Sequence, residues 1–165
     1  MSRWLLRLLL VGLATALGIW IWRSLFPNPE SVIRARLTEL AQAASFGPKD
    51  GPLALLLNPD KIVGLCTADV QVRVGSFGYS QTLNGREDIR KAATAVRTSF
   101  TSLSLKFPDI RVQVEADRES AVVYATANGR VSGDRELQLI ELRFIMRKIG
   151  SEWLIASVET ASALH

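Results

Sequence analysis

The chain has 165 residues, is 48% hydrophobic and 22% charged, and carries a formal net charge of +4. That length suits one ordinary domain with a short extra segment, and the composition is too apolar for a disordered chain. Of the 20 Lys+Arg, three (Arg3, Arg7 and Arg23) sit at the N-terminus, and 20 less 3 leaves 17 against 16 Asp+Glu, so no nucleic-acid partner is expected.

From Trp4 to Trp22 only Arg7 is charged, and Leu8 to Trp22 is apolar apart from Thr15. As a helix this run would span roughly 28 Å at about 1.5 Å per residue, close to the thickness of a bilayer core. Trp4 at one end and Trp20 and Trp22 at the other mark headgroup levels, and Arg7 can snorkel outward. Cleavage at Ala14-Thr15-Ala16 would expose an apolar new N-terminus and leave a signal core broken by Arg7. A buried core helix fits poorly, because the run is apolar all round and Pro27 follows at once. The reading is an uncleaved transmembrane signal anchor with a short linker over residues 1–27. The short basic start places the N-terminus inside and residues 28–165 outside, on the periplasmic face of a bacterial inner membrane. The lipid bilayer is thus the first expected partner.

Asn28-Pro29 opens the next helix as N-cap and first helical residue. Ile33, Leu37, Leu40, Ala41 and Ala44 form its apolar face, and Gly47-Pro48 stops it. Leu53 to Leu57 reads as a helical turn or two, and Asn58-Pro59 starts a further short helix to about Leu65. Val70, Val72 and Val74 alternate with Gln71 and Arg73 as a strand. Gly75 to Gly78 turns the chain, and Tyr79 to Leu83 pairs back. Asn84-Gly85-Arg86-Glu87 starts a helix, with Glu87 reaching back to the Asn84 cap and Ile89, Ala92, Ala93 and Val96 on its apolar face.

Long strands follow over Leu103 to Glu115, Ser120 to Val131, Glu136 to Lys148 and Glu152 to Thr160. Two of them change phase. Leu103, Leu105 and Phe107 give way to Ile110, Val112 and Val114 across Pro108-Asp109, which predicts a bulge. Leu137 and Leu139 likewise give way to Ile140, Leu142, Phe144 and Met146. Bulges bend strands, and a bent sheet wraps around something.

The order of elements resembles the nuclear transport factor 2-like superfamily, which includes SnoaL-like polyketide cyclases and ketosteroid isomerases. Thr67-Ala68-Asp69-Val70 looks like the entry to its first strand, and Gly85-Arg86-Glu87-Asp88-Ile89 like the start of the helix after the hairpin. Glu141-Leu142-Arg143-Phe144 and Trp153-Leu154-Ile155 look like its last two strands. The resemblance implies an α+β fold. A transmembrane helix would precede a cone-shaped domain, in which a curved antiparallel sheet wraps around three to four helices. It also implies a pocket and a homodimer through the sheet's outer face.

In isomerase-like members an acid near the end of the first strand takes a proton and a tyrosine on the first helix holds an oxyanion. Those positions fall near Val74 and Leu37, which can neither transfer a proton nor donate a hydrogen bond. The resemblance thus implies a non-catalytic domain that binds a small apolar ligand or docks a partner. Leu37, Val74, Tyr79, Tyr124, Leu142 and Phe144 are the pocket candidates. The alternatives are an isomerase, cyclase or dehydratase using a relocated carboxylate, Asp109 or Glu141, and a structural part of an envelope or secretion assembly. The only histidine, His165, is the last residue, so no histidine triad or zinc cluster is expected, and no cofactor. The lone Cys66 cannot form an internal disulfide and reads as a small buried residue, and Trp153 reads as core. Tyr124 shares strand parity with Val122, Thr126 and Asn128, a row able to line a pocket. Arg111, Arg130, Arg143 and Arg147 intersperse with Glu115, Glu136, Glu141 and Glu159, either as a dimer face or as a solvated face of weak ion pairs.

Overall fold

The computed structural model describes residues 3–25, 28–76, 79–133 and 138–161. The helices are α1 (Arg3–Leu25), α2 (Pro29–Ala44), α3 (Pro52–Gly64) and α4 (Gly85–Ser99). The strands are β1 (Cys66–Ser76), β2 (Tyr79–Asn84), β3 (Leu103–Val114), β4 (Ser120–Val131), β5 (Gln138–Ile149) and β6 (Glu152–Thr160).

In α2 the Asn28 side chain accepts a hydrogen bond from the Glu30 N–H, and Pro29 occupies the first turn, where its missing N–H costs nothing. The helix buries Ile33, Leu37 and Ala41, spaced four apart so that they share one face. At the start of α4 the cap differs from the expected box: the Asn84 N–H donates to Asp88, while Glu87 pairs with Arg90. Gly85 takes a φ of +77°, a conformation that suits glycine and turns β2 directly into α4.

The expected break at Asn58-Pro59 does not occur. The helix α3 runs through it, with Pro59 inside and buried. Proline forfeits one backbone hydrogen bond there, and packing of α3 against α4 and α2 holds the helix together across the gap.

All strands belong to one sheet, ordered β2-β1-β6-β5-β4-β3. The sheet is mixed rather than wholly antiparallel, because β1 lies parallel to β6. The last strand returns beside the first, and the two enter the sheet from the same end. The bulge predicted at Pro108-Asp109 is present as a register shift between Lys106 and Asp109. The second phase change has a different origin. Pairing of β4 with β5 is unbroken from Gly129↔Gln138 to Ser120↔Arg147, and the shift lies against β6 at Ile145/Met146. Leu139 is therefore an outward-facing, exposed residue, and Leu137 lies outside the described residues.

The helices α2, α3 and α4 cover one face of the sheet, and the core forms there. Ile33 and Leu37 meet Val70, Val123, Phe144, Met146 and Ile155, with Cys66 and Trp153 also buried as expected. Phe107 reaches Phe144 edge to face, ring centroids 5.8 Å apart. The opposite face carries a polar row in register across five strands, in the order Arg73, Glu159, Arg143, Tyr124, Arg111. Arg143 donates to Glu159 within it, and Arg111 pairs with Asp109 beside it at 3.3 Å.

The N-terminal run is helical as expected, and Leu9, Val11, Leu13, Leu17, Ile19, Trp20 and Ile21 on it are exposed. Among the described residues no helix is long and apolar enough to cross a membrane. The side chains of Trp4, Arg7 and Trp22, on which the expected span rests, lie outside the described residues.

Candidate functional site

A groove of about 580 Å³ opens between α2 and β3. The helix contributes Thr38, Ala41, Gln42 and Ser45, spaced i, i+3, i+4 and i+7, so they form a single stripe beside the core-facing one. The strand contributes Ser104, Leu105, Lys106 and Phe107. As β3 is an edge of the sheet, its outer backbone groups need partners from elsewhere.

This chain supplies several of them. Phe46 and Leu103 exchange two backbone hydrogen bonds, of 2.8 and 2.9 Å, closing one end of the groove. The Ser45 hydroxyl donates to the Ala41 carbonyl at 2.7 Å and accepts from the Leu105 N–H at 2.9 Å. At the far end the Arg34 guanidinium donates to the Ile110 carbonyl while held by Glu30. The groove thus has rigid ends, an apolar floor of Ala41, Leu105 and Phe107, and a polar rim.

Arg97 of α4 braces the end of α2. Its Nη2 donates to the Ala43 carbonyl at 2.6 Å, and its guanidinium lies 4.8 Å from the centre of the Phe46 ring. Burial lowers its pKa, partly offset by the nearby Asp50 charge.

A smaller pocket of about 100 Å³ opens on the outer face of the sheet. It gathers Asp109, Arg111, Tyr124, Thr126, Glu141 and Leu142, so both candidate carboxylates and two pocket candidates meet there. Tyr124 and Thr126 face outward, while Ala121, Val123, Ala125 and Ala127 of the same strand are buried. Arg143 donates to Glu159, and that carboxylate chiefly raises the Arg143 pKa, with Tyr124 adding to the effect.

Of the remaining candidates, Leu37 and Phe144 are 0% and 1% exposed and serve as core. Val74 is half-buried on β1 opposite Gln81. Tyr79 opens β2, with its side chain outside the described residues. Among the described side chains, none of the predicted pocket residues lines the larger groove. The signal for that groove was the polar stripe Thr38, Gln42 and Ser45 running alongside the apolar face of α2.

No protein-family model matches the chain, and no curated protein matches it in sequence. Solved structures do. One described as an aromatic ring hydroxylase from Novosphingobium aromaticivorans has a TM-score of 0.65 at 14% identity, covering 81% of this chain and 88% of that one. A nuclear transport factor 2-like protein of unknown function from Pseudomonas putida has a TM-score of 0.62 at 12% identity, covering 82% and 87%. One described as a dehydratase of the same family, from Streptomyces avermitilis, has a TM-score of 0.60 at 16% identity, covering 83% and 97%. The fold is nuclear transport factor 2-like. At these identities the likeness concerns the backbone path and leaves the chemistry to the side chains of this chain.

Proposed function

We propose that this chain is a membrane-anchored, non-catalytic nuclear transport factor 2-like domain that binds a small apolar ligand in the groove between α2 and β3. The observation that carries the reading is the groove itself, about 580 Å³ with an apolar floor, within the size range of small-molecule sites. Aliphatic Val74 and Leu37, near the positions where isomerase-like members hold a base and an oxyanion donor, support the absence of catalysis. The helix Arg3–Leu25, with Leu9, Val11, Leu13, Leu17, Ile19, Trp20 and Ile21 exposed on it, supports the anchor, and the short basic start of the sequence supports a domain on the periplasmic side of a bacterial inner membrane. The polar row on the outer sheet face is the surface through which two copies would pair.

Native mass spectrometry of the full chain released from detergent micelles tests the binding reading. A retained small mass in the wild type, lost in Gln42→Trp, is the expected result. An empty wild type after extraction from its native membrane would reject it.

A second reading is supported by the meeting of Asp109, Glu141 and Tyr124 in the outer pocket, and by the dehydratase description of some fold neighbours. In it a relocated carboxylate serves an isomerase, cyclase or dehydratase. Turnover of a polyketide- or ketosteroid-type substrate that disappears in Asp109→Asn or Glu141→Gln would establish that reading in place of the first.

A further inference from the structure

We infer that the groove between α2 and β3 selects amphiphiles with an anionic head, and that Lys106 reads that head. The inference rests on the groove being the ligand site and adds the chemistry of what enters it. It follows from which polar groups of the rim still have hydrogens to give.

Two of the rim hydroxyls have spent theirs. Thr38 donates to the Arg34 carbonyl at 3.0 Å, and Ser45 donates to the Ala41 carbonyl at 2.7 Å. Three rim groups have no hydrogen bond among the described residues: the Gln42 amide, the Ser104 hydroxyl and the Lys106 ammonium. All three can donate, and among the described residues Lys106 is the only charged one lining the groove. Among the described residues no carboxylate lines it. Asp109, beyond the bulge, is paired with Arg111 at the outer pocket, and Glu30 at the far end is held by Arg34.

An apolar floor with a rim that offers donors and one free cation complements a chain ending in a carboxylate or phosphate. A cationic head would meet Lys106 with no anion to offset it, and a neutral head would leave the ammonium unused. The exposure of Lys106 fits this role, since a head at the mouth keeps partial contact with water while the tail lies on Ala41, Leu105 and Phe107. The same chemistry is offered by a free fatty acid and by an anionic membrane lipid.

The test uses the full chain held in a non-ionic amphipol and three amphiphiles of equal chain length: laurate, dodecanol and dodecyltrimethylammonium. Equilibrium dialysis is expected to show laurate binding at least tenfold more tightly than dodecanol, with the cation weakest. Lys106→Gln should bring laurate down to the affinity of dodecanol, and Lys106→Glu should invert the preference toward the cation. Equal affinity for laurate and dodecanol, or a preference untouched by Lys106→Gln, would overturn the inference.

The two levels separate cleanly. Dodecanol binding that Gln42→Trp abolishes, with no gain for laurate, keeps the groove and rejects the head-group selection. No binding of any amphiphile rejects both. To distinguish the sources, the chain is placed in nanodiscs of phosphatidylcholine with and without phosphatidylglycerol. Laurate displaced only by phosphatidylglycerol identifies a bilayer lipid, and laurate undisturbed by it identifies a free acid.

Discussion

Arg97 is the charged residue whose replacement should cost most, and the structure allows the cost to be divided. It is 8% exposed, its Nη2 holds the Ala43 carbonyl at 2.6 Å, and its Nη1 has no partner among the described residues. Arg97→Ala removes a charged hydrogen bond worth about 1.5–3 kcal/mol and leaves a carbonyl of the last turn of α2 without a donor. It also removes a cation stacked on Phe46, worth about 1–2 kcal/mol at a largely desolvated site, and the favourable charge at a helix C-terminus, about 0.3–1 kcal/mol. Against these stands relief from burying a guanidinium with no carboxylate in contact, a penalty of several kcal/mol per ion when fully buried. The expected net loss is about 2–3 kcal/mol for Arg97→Ala. Arg97→Met, which keeps the aliphatic stem, should lose about 1–2 kcal/mol, and Arg97→Lys, which can still reach the carbonyl, about 1 kcal/mol. Urea unfolding of the full chain followed by far-ultraviolet circular dichroism measures the series through its midpoints. A Met variant as stable as the wild type, or more so, would refute the reasoning, since desolvation would then outweigh everything the guanidinium contributes.

Two further expectations concern the neighbourhood of the groove and the core. Ser45→Ala leaves the Leu105 N–H on the free edge of β3 without its acceptor, so a loss of about 1–2 kcal/mol is expected, with faster hydrogen exchange at the Leu105 amide. Unchanged exchange there would mean that water replaces the hydroxyl at no cost. Burial pushes the Cys66 thiol up from 9.0 to about 11, partly offset by Arg86, so the folded state holds its proton after the unfolded chain has released it. Stability from this group is full below pH 9 and fades as pH rises toward 11, by about 2–3 kcal/mol at most. The thiol should also resist a disulfide reagent at pH 9 until denaturant is added. Cys66→Ala should lose less stability than the wild type over the same range by that amount, and equal losses in the two would reject the assignment.

Sequence patterns identified most elements because their causes are local. The Asn28-Pro29 cap, the four-residue spacing of Ile33, Leu37 and Ala41, and the alternation of Ala121, Val123, Ala125 and Ala127 each act within a few residues. The bulge at Pro108-Asp109 was legible for the same reason, because a proline and a phase change coincide. The order of these elements was enough to indicate the fold later found among solved structures.

What the sequence could not supply was anything that depends on two distant segments meeting. Whether β1 lies parallel to β6, and whether α3 survives Pro59, depend on neighbours far along the chain. The outward direction of Tyr124 is another such case, since alternation gives two faces but does not say which one the helices cover. The candidate site shows this most plainly. Thr38, Gln42 and Ser45 are ordinary polar residues on a helix, and Ser104 and Lys106 are ordinary residues on a strand. They become a groove because α2 crosses the unpaired edge of β3, tied there by Arg34 at one end and Phe46 at the other. Local pattern determined the elements and their sequence of use. The tertiary structure alone decided which faces were left open, because openness is a property of two surfaces rather than of either one.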